Sequence, residues 1–188
     1  MSWKVALLGA ECTGKSSLTQ RLGERLADLH VACVTEYLRE WCVQQGRTPQ
    51  AAEQAGIAAE QARRIAAAAA QHPLVVADTT PLMTALYSIH YFDDASALPA
   101  AVAAQRDYDL TLLCCPQGIP WQQDGWMRES PGVREATHAE LHRLLRAQGL
   151  PFTLLAGPID ERTALAEALI RALNPDNQRL PLPTLPCP

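Results

Sequence analysis

With 188 residues the chain is long enough for one domain with a buried core and short for two. A 48% apolar and 19% charged composition is that of an ordinary globular protein and excludes a wholly disordered one. The net charge of −4 offers no basic footprint for a nucleic acid. No apolar run reaches the ~18 residues of a membrane span, so a soluble, cytoplasmic protein is expected. The six cysteines form no C-x-x-C pair, which argues against a zinc site or a disulfide framework.

Apolar periodicity divides the chain into alternating strands and helices. The run from Trp3 to Leu8 reads as a buried strand stopping at Gly9. Leu18, Leu22, Leu26 and Leu29 recur at helical spacing and predict a helix over 15–29. A second strand is expected over 31–35, then a helix carrying Leu38, Trp41 and Cys42 that ends near Gly46. Thr48-Pro49 reads as the cap and first turn of a helix running through the alanine-rich stretch to about Gln71.

Leu74 to Ala77 forms the third expected strand and ends on Asp78. Thr80-Pro81 opens the next helix, and a short helical piece precedes a fourth strand over 110–115. Glycine and proline then mark 116–134 as loop, followed by a helix with Leu141, Leu144 and Leu145. A fifth strand near 152–155 and a helix from Pro158 complete the domain, 1–173. The tail, 174–188, holds five of the fourteen prolines and is expected to be extended. Such alternation implies an α/β fold, a five-stranded parallel sheet with helices on both faces.

The segment Gly9-Ala10-Glu11-Cys12-Thr13-Gly14-Lys15-Ser16 fits G-x-x-x-x-G-K-[ST], with a strand before it and an amphipathic helix after. Its glycines let backbone N–H groups approach phosphate oxygens, the helix N-terminus adds partial positive charge, and Lys15 adds a full one. Gly9, Glu11, Cys12, Thr13, Gly14, Lys15, Ser16 and Ser17 are therefore the expected contacts of ATP. The Ser16 hydroxyl is a ligand for Mg²⁺.

Ligands of open parallel sheets bind at the carboxyl ends of strands, where Lys15, Glu36 and Asp78 should converge. Phosphoryl transfer needs a metal holder and a base for the acceptor hydroxyl. Asp78 is assigned to Mg²⁺ and Glu36 to the base, although the two roles can be exchanged; a helix cap is the plainer role for Asp78. Residues 120–134 carry Trp121, Asp124, Arg128 and Arg134. They read as a lid that encloses a ring against Trp121 and covers phosphates with both arginines, hinged at Pro131-Gly132.

At these residues the chain resembles the ribosylnicotinamide kinase domain of bacterial NadR and related single-domain P-loop proteins of the AAA_28 type. The resemblance covers about 3–157. It rests on Gly9-Ala10-Glu11 with Gly14-Lys15-Ser16-Ser17-Leu18, Glu36-Tyr37-Leu38-Arg39-Glu40, Asp78-Thr79 with Thr84, Tyr108-Asp109, and Pro120-Trp121 with Asp124-Gly125 and Arg128. It implies a P-loop fold of the nucleoside and nucleotide kinase kind, and transfer of the ATP γ-phosphate to the 5′-hydroxyl of nicotinamide riboside. Glu36, Tyr37, Arg39, Trp121 and Asp124 are its implied contacts to a small nucleoside-like substrate. The chain has Asp78-Thr79-Thr80 where that family has Asp-Thr-Asp, and Arg128 follows Asp124-Gly125 at a spacing one residue longer. No H-x-G-H motif occurs, so adenylyl transfer is not expected. Two other classes fit the same loop: a partner-coupled ATPase or GTPase, and a nucleotide sensor without turnover.

Overall fold

The computed structural model describes residues 2–125 and 129–173, so Arg128 and the expected tail lie outside the described residues. Five parallel strands form one sheet in the order β2-β3-β1-β4-β5. They are β1 (Trp3–Leu8), β2 (Val31–Val34), β3 (Leu74–Asp78), β4 (Leu110–Cys114) and β5 (Thr153–Leu155). The helices are α1 (Lys15–Arg25), α2 (Tyr37–Gln45), α3 (Ala51–Ala69), α4 (Pro81–Phe92), α5 (Leu98–Gln105), α6 (Pro131–Ala147) and α7 (Ile159–Leu173). The chain passes from β3 across β1 to β4, and such a reversal of strand order opens a crevice at the carboxyl ends.

Strand periodicity assigns the core. Val5 and Leu7 of β1 pack with Leu18 and Leu22 of α1, with Leu26 at its C-cap, and with Ala166 and Ile170 of α7. Ala6 and Leu8, pointing the opposite way, pack with Leu82 and Leu86 of α4, Val102 of α5, and Leu141 and Leu145 of α6. On the β2 side, Val75 and Ala77 of β3 meet Val34 and Ile65. β1 therefore lies at the centre with both faces covered, which fixes the strand end that launches the phosphate loop.

Three boundaries differ from expectation. The first helix stops at Arg25, and a separate 3₁₀ turn covers Ala27–Leu29 before His30 enters the left-handed region. The third helix starts at Ala51, because Gln50 and Glu53 close a reciprocal cap that Thr48-Pro49 does not provide. The helix expected after the 116–134 loop begins already at Pro131, whose fixed φ suits a first helical position, with Ser130 as its cap. Pro131-Gly132 is thus the opening turn of α6 rather than a hinge.

Arg162 of α7 joins three loops. It is 1% exposed and donates to the carbonyls of Gly157, Thr13 and Gln117. Gly118 lies so close to Gly157 that a Cβ on it would come within 2.6 Å of the Gly157 carbonyl. The loops after β4 and β5 therefore touch backbone to backbone beneath the phosphate loop. Arg162→Ala should strand three buried acceptors and lower stability by about 3 kcal/mol or more, read from urea unfolding midpoints. Arg162→Lys should recover little, because an ammonium lacks the planar fork.

Glu53 accepts from Arg47 and from the Gln50 N–H, and these bonds hold its carboxyl down at about 2, against 4.5 ordinarily. A depressed folded-state pKa stabilises above the unfolded value, and that contribution disappears as pH falls through the folded one. Glu53→Gln should melt below the parent at neutral pH. In melts across pH the gap should narrow below 4.5 and close near 2.

Candidate active site

Gly9 leaves β1 with φ +154°, and a Cβ there would sit 2.8 Å from Thr13 Oγ1 and 2.9 Å from the Cys114 carbonyl. Only glycine fits this turn. Three cations then take carbonyls of the phosphate loop. Lys15, 7% exposed, donates from Nζ to the Gly9 and Ala10 carbonyls, each at 2.9 Å. Arg162 takes Thr13 O at 3.1 Å, and Arg134 takes Cys12 O at 3.3 Å together with Ile119 O at 3.0 Å. Gly14, at φ +81°, leads into α1, whose first N–H groups have no intrahelical acceptor.

Asp78 ends β3 opposite Leu7 and is 2% exposed. Burial raises its carboxyl pKa, against the Lys15 charge and a hydrogen bond from Ser16. Its Oδ1 has no hydrogen-bond partner. A buried carboxylate with one orphaned oxygen beside a serine hydroxyl is a hard, all-oxygen donor set, which fits Mg²⁺ shared with phosphate oxygens. Among the described residues no cluster of three or more His, Cys, Asp or Glu could hold a metal ion, so the set does not suit a cation that needs a protein-built cage.

Glu36 is the N-cap of α2 at the end of β2 and borders a cavity of 410 Å³ that the phosphate loop from Glu11 to Ser17 floors. Ser16, Glu36 and Arg39 separate this cavity from a second hollow that Asp78 borders. The structure thus gathers Lys15, Ser16, Glu36 and Asp78 at one strand edge. The far wall of the cavity is Tyr87, Tyr91 and Phe92 of α4, facing Leu38 and Cys42 of α2, with Gln54 of α3. Burial raises the Tyr87 hydroxyl pKa, and the charges of Glu36, Glu11 and Asp78 push the same way.

Several expected contacts lie elsewhere. Trp121 is absent from the cavity wall; the Arg134 guanidinium stands 5.5 Å from its ring, and its Nε1 donates to Gln123. Tyr37 lies under Arg64, 4.3 Å from its ring, on the α2–α3 side. Arg39 borders the cavity, but its guanidinium pairs with Asp124. Arg134 is not a swinging lid group: fixed in the first turn of α6, it is buried and ties the loop to Ile119. Cys12, at φ 52°, adds a second tie, its Sγ accepting from the Gln122 N–H at 3.3 Å.

Gln61 of α3 is a positioning residue that the sequence reading missed. It is 1% exposed; its Oε1 accepts from Tyr37 N at 2.8 Å and its Nε2 donates to Thr79 O at 3.3 Å. One amide therefore joins the residues following Glu36 and Asp78. Thr79 has φ 73°, a left-handed conformation that costs a β-branched residue energy and needs such anchors. Its signal in the sequence is the buried face of α3, where Gln54 and Gln61 alternate with Ile57 and Ile65.

The model of the AAA_28 family, described as AAA domain, matches residues 4–162. The chain belongs to this family. The family fold is shared with the NadR protein in complex with NAD and AMP-PNP at 20% identity and TM-score 0.72, covering 99% of this chain and 52% of that one. The NadR protein in complex with NR gives 21% identity and TM-score 0.74, covering 98% and 53%. Thymidylate kinase from Ehrlichia chaffeensis gives 13% identity and TM-score 0.63, covering 92% and 99%. The chain spans about half the length of the NadR chains. No protein of curated function matches it. At these identities the likeness is one of fold: a P-loop α/β domain of the kind found in NadR and nucleotide kinases.

Gln61→Glu keeps the shape but loses the donor to Thr79 O, whereas Gln61→Leu loses both bonds. Both variants should stay folded, and both should need more Mg²⁺ for half-maximal nucleotide turnover, the leucine variant the more so. Circular dichroism and Mg²⁺ titration of initial rates check this; equal loss at saturating and limiting Mg²⁺ would mark Gln61 as merely structural.

Proposed function

We propose that this chain is an ATP- and Mg²⁺-dependent kinase of a small nucleoside, nicotinamide riboside being the first candidate, with transfer to the 5′-hydroxyl. The observation that carries the reading is a cavity large enough for a nucleoside, floored by the phosphate loop, with a buried, half-unpartnered Asp78 in the hollow that shares Ser16 and Glu36 with it. Hydrolysis alone needs no second compartment of this size. The fold shared with NadR, whose structures hold NR, NAD and AMP-PNP, supports the same reading.

Charge narrows the acceptor. Glu11, Glu36 and Glu129 border the cavity; of its cations, Lys15 is turned onto the loop and Arg39 is paired with Asp124. An anionic acceptor such as a nucleoside monophosphate is repelled there, and a neutral or cationic one is not. Three flat aromatic faces on α4 suit a planar ring.

In this mechanism the Lys15 ammonium, held on the Gly9 and Ala10 carbonyls in the unliganded loop, turns to the transferring phosphate and offsets its charge, while the loop N–H groups hold the remaining oxygens. Ser16 and Asp78 would hold Mg²⁺, which supplies neutralisation of the β- and γ-oxygens when bound. Glu36 orients the acceptor hydroxyl and takes its proton. Arg134 and Cys12 keep the loop in register with 119–122; Arg128 lies outside the described residues.

Incubation with ATP, Mg²⁺ and a panel of nucleosides should give a product heavier by one phosphoryl group, read by mass spectrometry. Lys15→Ala should lower kcat by about 10²–10³-fold without loss of fold. Glu36→Gln should lower kcat by about 10²-fold at unchanged ATP affinity, whereas Asp78→Asn should raise the Mg²⁺ requirement. Consumption of ATP with no phosphorylated acceptor would favour the partner-coupled ATPase instead, and tight nucleotide binding without turnover would favour the sensor.

A further inference from the structure

The buried face of α3 carries two glutamines seven residues apart, Gln54 and Gln61, where an amphipathic helix ordinarily places apolar groups. Both side chains are more than nine-tenths buried, Gln54 being 6% exposed. Their hydrogen bonding differs. Gln61 has both amide ends satisfied by the fold, on Tyr37 N and Thr79 O. The Oε1 of Gln54 has no partner at all.

Gln54 also lines the cavity that the phosphate loop floors. The apolar and aromatic part of the same lining is Leu38, Cys42, Pro49, Tyr87, Tyr91 and Phe92. A buried amide with an unmade bond is costly in such surroundings, and leucine of similar size would fill the position without that penalty. The amide therefore has no account in the stability of the fold, whereas Gln61 on the same face has a full one.

We infer that Gln54 is a specificity-determining residue of the acceptor site, and that it reads a primary carboxamide on the planar ring of the acceptor. A glutamine side chain ends in one acceptor and two donors, and its terminal torsion is broad, so either end turns toward the cavity at little cost. A ring carboxamide is its complement: its N–H donates to Oε1, and its carbonyl accepts from Nε2. A carboxylate at the same position offers no donor and adds charge to a cavity already bordered by Glu11, Glu36 and Glu129. The unsubstituted ring leaves the amide as it stands, with Oε1 unpaired. Sites that hydrogen-bond a substrate group reject analogues lacking it more strongly than apolar pockets do, because their own polar groups are then stranded.

The assignment rests on the nucleoside kinase reading above, and its test separates the two. The full chain is assayed with ATP, Mg²⁺ and three pyridine nucleosides bearing a carboxamide, a carboxylate or hydrogen on the ring. The parent should favour the carboxamide by roughly 10²-fold in kcat/KM, chiefly through KM. In Gln54→Leu that preference over the unsubstituted ring should shrink to within about fivefold, chiefly through a higher KM for the carboxamide. The same variant, free of ligand, should melt at or above the parent, since it removes a stranded amide. Gln54→Glu, which keeps the shape but repels the carboxylate more, should not recover the parent's preference. An unchanged carboxamide preference in Gln54→Leu overturns the assignment, as does an equal loss on all three acceptors accompanied by a lower melting temperature. A parent that phosphorylates none of the three but does phosphorylate another nucleoside overturns the carboxamide assignment and leaves the kinase reading standing. A parent that phosphorylates no nucleoside overturns both.

Discussion

A loop that binds phosphate through its N–H groups must dispose of its carbonyls, which would otherwise repel the same oxygens. In this chain four of the five carbonyls from Gly9 to Thr13, all but that of Glu11, are turned onto cations: Lys15 takes two, Arg134 one and Arg162 one. Each cation arrives from a different helix, α1, α6 and α7 respectively. The conformation of the loop is therefore determined by the packing of three helices on the sheet, and the sheet in turn by β1 at its centre.

The same economy of parts applies to the carboxylates. Glu36 follows β2 and Asp78 ends the neighbouring β3, and the residues after them, Tyr37 and Thr79, are joined by the Gln61 amide. α3 thus does more than cover the sheet. Its length places Gln61 over the strand ends and Gln54 one further step out, over the cavity. Its alanine-rich C-terminal half packs on β2 and β3 without bulk, which suits a helix that must lie close.

The alternation of five strands with helices and the phosphate loop were legible because they rest on local rules: periodicity, turn residues and a spacing that chemistry demands. Asp78 was legible as a strand-terminal acid and Glu36 likewise. The acceptor wall was not. Tyr87, Tyr91 and Phe92 look like ordinary core positions of an apolar helix, and only the three-dimensional gap between α2, α3 and α4 makes them a wall. Trp121 was misleading for the converse reason, since a tryptophan in a polar loop invites a ligand, whereas here it stacks with Arg134. Arg134 was read as mobile because Pro131-Gly132 resembles a breaker, yet proline is well suited to a first helical turn. Its use of the Cys12 and Ile119 carbonyls depends on contacts 122 and 15 residues away, which no local pattern encodes.

The sheet's two margins carry a consequence for the behaviour of the chain in a crowded solution. β2 has four residues and β5 three, and each is hydrogen-bonded along one side by its neighbour. Outer strands this short offer few open main-chain donors and acceptors for another chain to add to, even though Cys33 and Leu154 are exposed on them. Brevity at the rim thus protects the longer apolar strands at the centre from intermolecular pairing.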